Sequence, residues 1–117
     1  MAKQNGSVNY QRGVASLVIL ALLKKQDMYG YQLVQEAEKQ SGGAIVMQEG
    51  SLYPVLYRLL DEGFITDRKE LVGKRMTRIY YHIEQSGIEH LKALINEYRT
   101  ITTGVFHVIE EGEKRNE

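Results

Sequence analysis

The sequence predicts a mainly α fold with one small β-hairpin, an α+β arrangement that ends in a long helix. Three observations carry this expectation. Segments before residue 63 repeat apolar residues at helical spacing, the stretch 78–83 alternates at the strand period, and apolar residues recur every three or four positions from Ile88 to Ile109. A chain of 117 residues fits one compact unit. It divides naturally into residues 1–84 and a C-terminal helix with a charged tail, residues 85–117.

The first helix is expected from Tyr10 to Lys25, apolar at Val14, Leu17, Val18, Ala21 and Leu22, with Leu20 and Leu23 widening the stripe. Such breadth implies burial on more than one side. Gln26-Asp27-Met28 reads as a short turn. A second helix follows from about Tyr29 to Gln40 with Leu33, Val34 and Ala37 inward, closed by Ser41-Gly42-Gly43.

Gly50-Ser51 opens the third helix, with Ser51 as its N-cap and Pro54 tolerated in the first turn. At 100° per residue, Leu52, Val55, Leu56, Leu59 and Leu60 share one face. Pro54, Tyr57, Arg58 and Asp61 share the other, with Tyr53 at the boundary. Phe64–Arg68 and Arg78–Ile83 read as the hairpin, its Ile79, Tyr81 and Ile83 inward. The connection Lys69–Thr77 is expected to be too long for a tight turn and mobile at its tip.

The last helix begins near Gln85–Gly87 under a Ser86/Glu89 capping box and runs to about Glu111. Its stripe, Ile88, Leu91, Ile95, Tyr98, Thr102, Val105 and Ile109, exceeds what a small domain covers alone and calls for a partner helix. The tail from Glu110 is expected to fray.

Composition excludes several chemistries. Without cysteine there is no disulfide, thiolate nucleophile or Cys-bound zinc. The three histidines lack metal-ligand spacing, His82 is expected to point outward from its strand with no functional role, and no catalytic or phosphate-loop motif exists. No cofactor and no enzyme activity are expected. The apolar run Val14–Leu23 has ten residues against the roughly 20 of a membrane span, so a cytoplasmic protein with no membrane contact is expected.

Net charge is zero, yet it is unevenly distributed. Residues 1–29 carry four basic and one acidic side chain, 30–65 two and five, 66–83 five and two, and 84–117 four and seven. Two basic blocks thus lie inside a neutral total. A helix-turn-helix followed by a basic hairpin is the plan of a winged helix, whose third helix enters a major groove while the wing reaches phosphates or the minor groove.

Particular residues carry a closer likeness. Met28-Tyr29-Gly30-Tyr31-Gln32-Leu33, then Gly50-Ser51-Leu52-Tyr53-Pro54-Val55-Leu56-Tyr57-Arg58 through Ile65, then Gly73-Lys74-Arg75 ahead of Arg78-Ile79-Tyr80-Tyr81-His82-Ile83 and Gly87, resemble the PadR family of bacterial winged-helix transcriptional regulators. The likeness spans roughly residues 12–100, and its single long C-terminal helix matches the smaller subclass that dimerises through it. Tyr29 replaces a frequent histidine, and Glu84 a usual threonine cap whose role Ser86 is expected to assume. The absence of tryptophan departs from relatives with an indole-lined drug pocket.

The expected partner is therefore double-stranded DNA, a pseudopalindromic operator read by a homodimer that represses transcription until a small-molecule effector binds between subunits. The expected DNA contacts are Ser51, Tyr53, Pro54, Tyr57, Arg58, Lys74, Arg75 and Arg78. Ser51 serves as cap, phosphate ligand or both; Tyr53 as core or contact; Arg78 as phosphate ligand or partner of an acid. The competing expectation is a winged-helix protein-interaction module without DNA readout, which would lack the steep salt dependence of a DNA binder.

Overall fold

A computed structural model describes residues 2–114, with side chains from residue 13 onward. The Lys3 and Arg12 side chains and the end of the charged tail lie outside the described residues. Four helices and a three-stranded antiparallel sheet follow in the order α1 (Ala2–Lys25), β1 (Met28–Tyr29), α2 (Gly30–Gln40), α3 (Glu49–Asp61), β2 (Ile65–Val72), β3 (Met76–Ile83) and α4 (Gln85–Glu113). The sheet order is β1-β3-β2. The expected mainly α fold with a β wing is borne out.

One core joins all elements. Ile19, Leu20 and Leu23 of α1, Leu33 of α2, Leu52, Leu56 and Leu59 of α3, and Ile65 of β2 are fully buried, with Met28 of β1 among them. α1 starts earlier than expected, and its phase is rotated. Ile19 and Ser16 face inward while Val14, Leu17 and Val18 are only half-buried and Ala21 is exposed. A stripe so broad leaves its centre undetermined by periodicity alone.

The expected turn at Met28 is instead part of a strand. Met28 pairs with Tyr81 and Tyr29 with Tyr80, which puts Met28 into the core and Tyr29 on the outer sheet face. A strand of two residues has no period to read. α2 ends as expected, with Gly42 and Gly43 at positive φ and the Gly43 N–H donating back to the Glu38 carbonyl.

The wing is more regular than expected. Pairing continues to Val72↔Met76, so Lys69–Thr77 is mostly strand. Only Gly73-Lys74-Arg75 turn the chain, with Gly73 at φ 70°, where a side chain would be strained. Hydrogen-bonded pairing outlasts the apolar alternation, because the outer part of the wing has no core to cover. Ile79, expected inward, is exposed for this reason, whereas Tyr81 and Ile83 are buried.

Both expected serine caps fail. α3 begins at Glu49 after Gln48, and Ser51 lies inside it, its hydroxyl donating to the Gln48 carbonyl at 3.0 Å. Pro54 is therefore beyond the first turn. It withholds an N–H from the carbonyl of Gly50, one turn back. α4 follows Glu84, and Ser86 donates to the Gly63 carbonyl at 2.8 Å instead of capping its own helix.

α4 divides in two. Leu91 is buried within its own chain, with Ile88, Leu94 and Ile95 packed against the core. Leu91 therefore drops out of the expected dimer seam, since a side chain already buried has no surface to offer. From Tyr98 onward the apolar residues Ile101, Val105, Phe106, Val108 and Ile109 are exposed. Among the described residues, no helix is long and apolar enough to cross a membrane.

Candidate nucleic-acid interface

The residues singled out for DNA fall mainly on two surfaces, the outer face of α3 and the wing tip. Burial of Leu52, Val55, Leu56 and Leu59 fixes the rotation of α3, so Ser51, Pro54 and Tyr57 face solvent. Tyr57 is 62% exposed. Tyr53 is half-buried, its ring lying over Gly30 so closely that a Cβ there would come 2.7 Å from the phenol oxygen. Glycine at the start of α2 makes room for this ring. Tyr53 and Tyr57 form a tilted pair with centroids 6.2 Å apart.

Arg58 corrects an expectation. Rather than projecting from the outer face, it turns back toward α1 and donates to the buried Ser16 hydroxyl at 3.0 Å. The angular plot placed it 100° from Tyr57, but a long side chain can reach along the helix surface to a buried acceptor. The exposed face of α3 thus presents rings, a proline and a hydroxyl, but no free cation.

The wing supplies the charge. Lys74 and Arg75 are exposed at the turn, with Lys69 exposed on β2. The Arg78 guanidinium lies 4.2 Å from the centroid of the Tyr29 ring. Tyr29 meets Tyr80 edge-on at 5.5 Å, and Arg68 sits 5.3 Å from the Tyr80 centroid. Two rings in edge-on contact, flanked by two cations, thus run across the outer face of the sheet as a ladder. Sequence reading missed this ladder because it depends on the register of β1.

The base of the wing is tied down by Asp27. Its carboxylate accepts from Arg68 on β2 and lies 2.7 Å from His82 Nδ1 on β3. Burial alone would raise the Asp27 pKa, but hydrogen bonds from His82 and Arg68 outweigh it and hold the carboxyl below its ordinary value. His82 does alternate outward, yet it is bonded and not merely solvated. Beneath α3, burial pushes the Tyr81 phenol up to about 12, with Tyr53, Asp67 and Tyr57 adding to the shift. It remains neutral near neutral pH.

Three helices, a paired wing with a basic tip and an aromatic helix face define the class as a winged helix-turn-helix protein. Residues 19–93 match the transcriptional regulator PadR-like family, and the chain belongs to that family. It is 32% identical over 78 residues to a Bacillus subtilis protein named negative transcriptional regulator PadR, covering 67% of this chain and 43% of that one. It is 35% identical over 66 residues to the Escherichia coli transcriptional regulator YqjI, covering 56% and 32% respectively. The chain thus spans less than half the length of either regulator.

Solved structures agree. A transcriptional regulator from Clostridium thermocellum superposes with a TM-score of 0.77 at 27% identity, covering 85% of this chain and 96% of that one. Bacillus subtilis PadR in complex with operator DNA superposes at 0.65 with 30% identity, covering 70% and 46%. These relatives are transcriptional regulators rather than enzymes.

Proposed function

We propose that this protein is a sequence-specific DNA-binding regulator that acts as a homodimer in the cytoplasm. The observation that carries the reading is the pairing, on one winged helix, of an exposed, tyrosine-bearing helix face without a free cation and a wing tip bearing exposed Lys74 and Arg75. Phosphate neutralisation by the wing supplies affinity, and base-edge contact by Ser51, Tyr53, Pro54 and Tyr57 supplies sequence preference. Rings and proline fit thymine methyl groups in a major groove better than guanine, which arginine reads. The operator-bound relative supports the DNA partner.

Repression is supported by the name of the Bacillus subtilis relative. Dimerisation is supported by the bare apolar half of α4, which a two-fold assembly would cover, and by the two recognition helices about 34 Å apart that a two-half-site operator requires. Its seam is Tyr98, Thr102, Val105 and Ile109, with Ile88 and Ile95 at the margin. Release by a small apolar effector fits the same region, where Phe106 and Val108 extend beyond one seam.

Selection of bound fragments from random duplex DNA tests the reading, followed by titration between 50 and 200 mM salt. An enriched inverted repeat with a steep salt slope is expected. No enrichment, or binding indifferent to salt, would favour a protein-interaction module. Val105→Asp should dissociate the dimer in sedimentation without unfolding the winged helix, since position 105 makes no contact with the core; an intact dimer would displace the seam.

A further inference from the structure

The joint between α3 and α4 is held by directional contacts that the DNA-reading surfaces do not use. The Gly63–Phe64 turn ends α3, and the first turns of α4 close upon it. The Glu84 N–H donates to the Phe64 carbonyl at 2.9 Å, and the Ser86 hydroxyl donates to the Gly63 carbonyl at 2.8 Å. At Gly87 the helix comes so near that a Cβ would collide with the same Phe64 carbonyl oxygen. One turn further on, the His90 ring lies flat against Phe64, centroids 4.1 Å apart and planes 8° from parallel.

We infer that Ser86, Gly87 and His90 are positioning residues that set the angle between the pairing helix and the reading helix, and thereby the half-site spacing the dimer accepts. The inference rests on the DNA-binding, dimeric reading above and adds the element that makes the dimer selective for spacing. Elsewhere α4 rests along α1 through apolar packing. Such packing is non-directional and allows side chains to slide. Hydrogen bonds and a stacked ring pair have preferred angles and do not.

The geometry makes the joint a lever. α3 lies on one side of the Gly63–Phe64 turn, and the pairing half of α4 begins more than two turns beyond it on the other. A small rotation at the turn therefore becomes a displacement of each reading helix relative to its mate. One base pair corresponds to roughly 3.4 Å along the duplex, so displacements of this order separate one spacing from the next. Neither Ser86 nor His90 lies on the exposed face of α3 or on the wing, so base preference should survive their loss.

The test repeats the random-duplex selection with a Ser86→Ala/His90→Ala variant and compares the distances between inverted half-sites. The wild type should enrich a single spacing and bind a duplex with one inserted base pair on the order of tenfold more weakly. The variant should enrich the same half-site at two or more spacings, with the penalty for insertion falling below about threefold. Ser86→Thr with His90→Phe retains a hydroxyl and a flat ring and should restore the single spacing. Should the double variant fold poorly, Ser86→Ala alone carries the same expectation. A folded variant that keeps one spacing and the full insertion penalty overturns the inference. Failure of the wild type to enrich paired half-sites would instead overturn the DNA reading on which it rests.

Discussion

The outer face of α3 and the tip of the wing have opposite chemistry. α3 exposes Tyr57, Pro54 and Ser51 while its one arginine is turned inward onto Ser16. The wing exposes Lys74 and Arg75 on a three-residue turn. Charge attracts any duplex, whereas rings and hydroxyls distinguish base edges, so the division separates binding strength from sequence choice. On the proposed DNA-binding reading, it also accounts for the neutral total: positive charge is placed locally, in residues 1–29 and 66–83, and balanced elsewhere.

The largest expected effect tests which face of α3 serves the fold. Leu56→Ala removes a completely buried side chain and should cost about 2–5 kcal/mol of stability, read as a lower denaturation midpoint. Tyr57→Ala, one residue along, should leave that midpoint within about 0.5 kcal/mol. It should instead weaken operator binding by about 1–3 kcal/mol per half-site. If Tyr57→Ala lowered the midpoint and spared binding, the contrast between the two faces would collapse.

The wing pair is next in size. Lys74→Ala with Arg75→Ala should weaken binding to every duplex about equally. The slope of log affinity against log salt should fall by nearly 2 per subunit, if each cation neutralises one phosphate. The Tyr57 variant should keep the parent slope. Equal slopes for all three proteins would remove the wing from the interface and return the affinity to α3.

How much of this was legible in the sequence follows from which forces leave a local trace. The core face of α3 was readable because Leu52, Val55, Leu56 and Leu59 recur at the helical period, and burial follows that period. Tyr57 and the wing cations were readable for the same reason, as exceptions to the apolar pattern. Arg58, Asp27 and Ser86 were not. Each has its partner 23 to 55 residues away in the chain, at Ser16, His82 and Gly63. No local period records such contacts. The serine caps were misread because Ser51 and Ser86 suit a helix start by residue type, while the observed N-caps are Gln48 and Glu84, three and two residues earlier.

The smallest expected effect concerns the base of the wing, where Asp27 joins Arg68 of β2 to His82 of β3. Its carboxyl titrates below the ordinary 3.8 in the folded protein. The unfolded chain therefore binds the proton more readily, and the ion pair contributes its full stability above about pH 5. That contribution fades as pH drops through 3.8 and is gone below the folded value. Because Arg68 and His82 are about half exposed, solvent screens the cluster and its contribution is small. Asp27→Asn should thus lower the urea midpoint slightly at pH 7, and the gap from wild type should close as pH is lowered from 5 toward 3. A gap that stayed constant across this range would mean that Asp27 contributes by shape and hydrogen bonding alone. Operator affinity supplies the sharper contrast with α3: loosening the wing base should weaken binding at pH 7 while leaving half-site preference unchanged, because the tilt of Lys74 and Arg75 depends on Asp27 and the placement of Tyr57 does not.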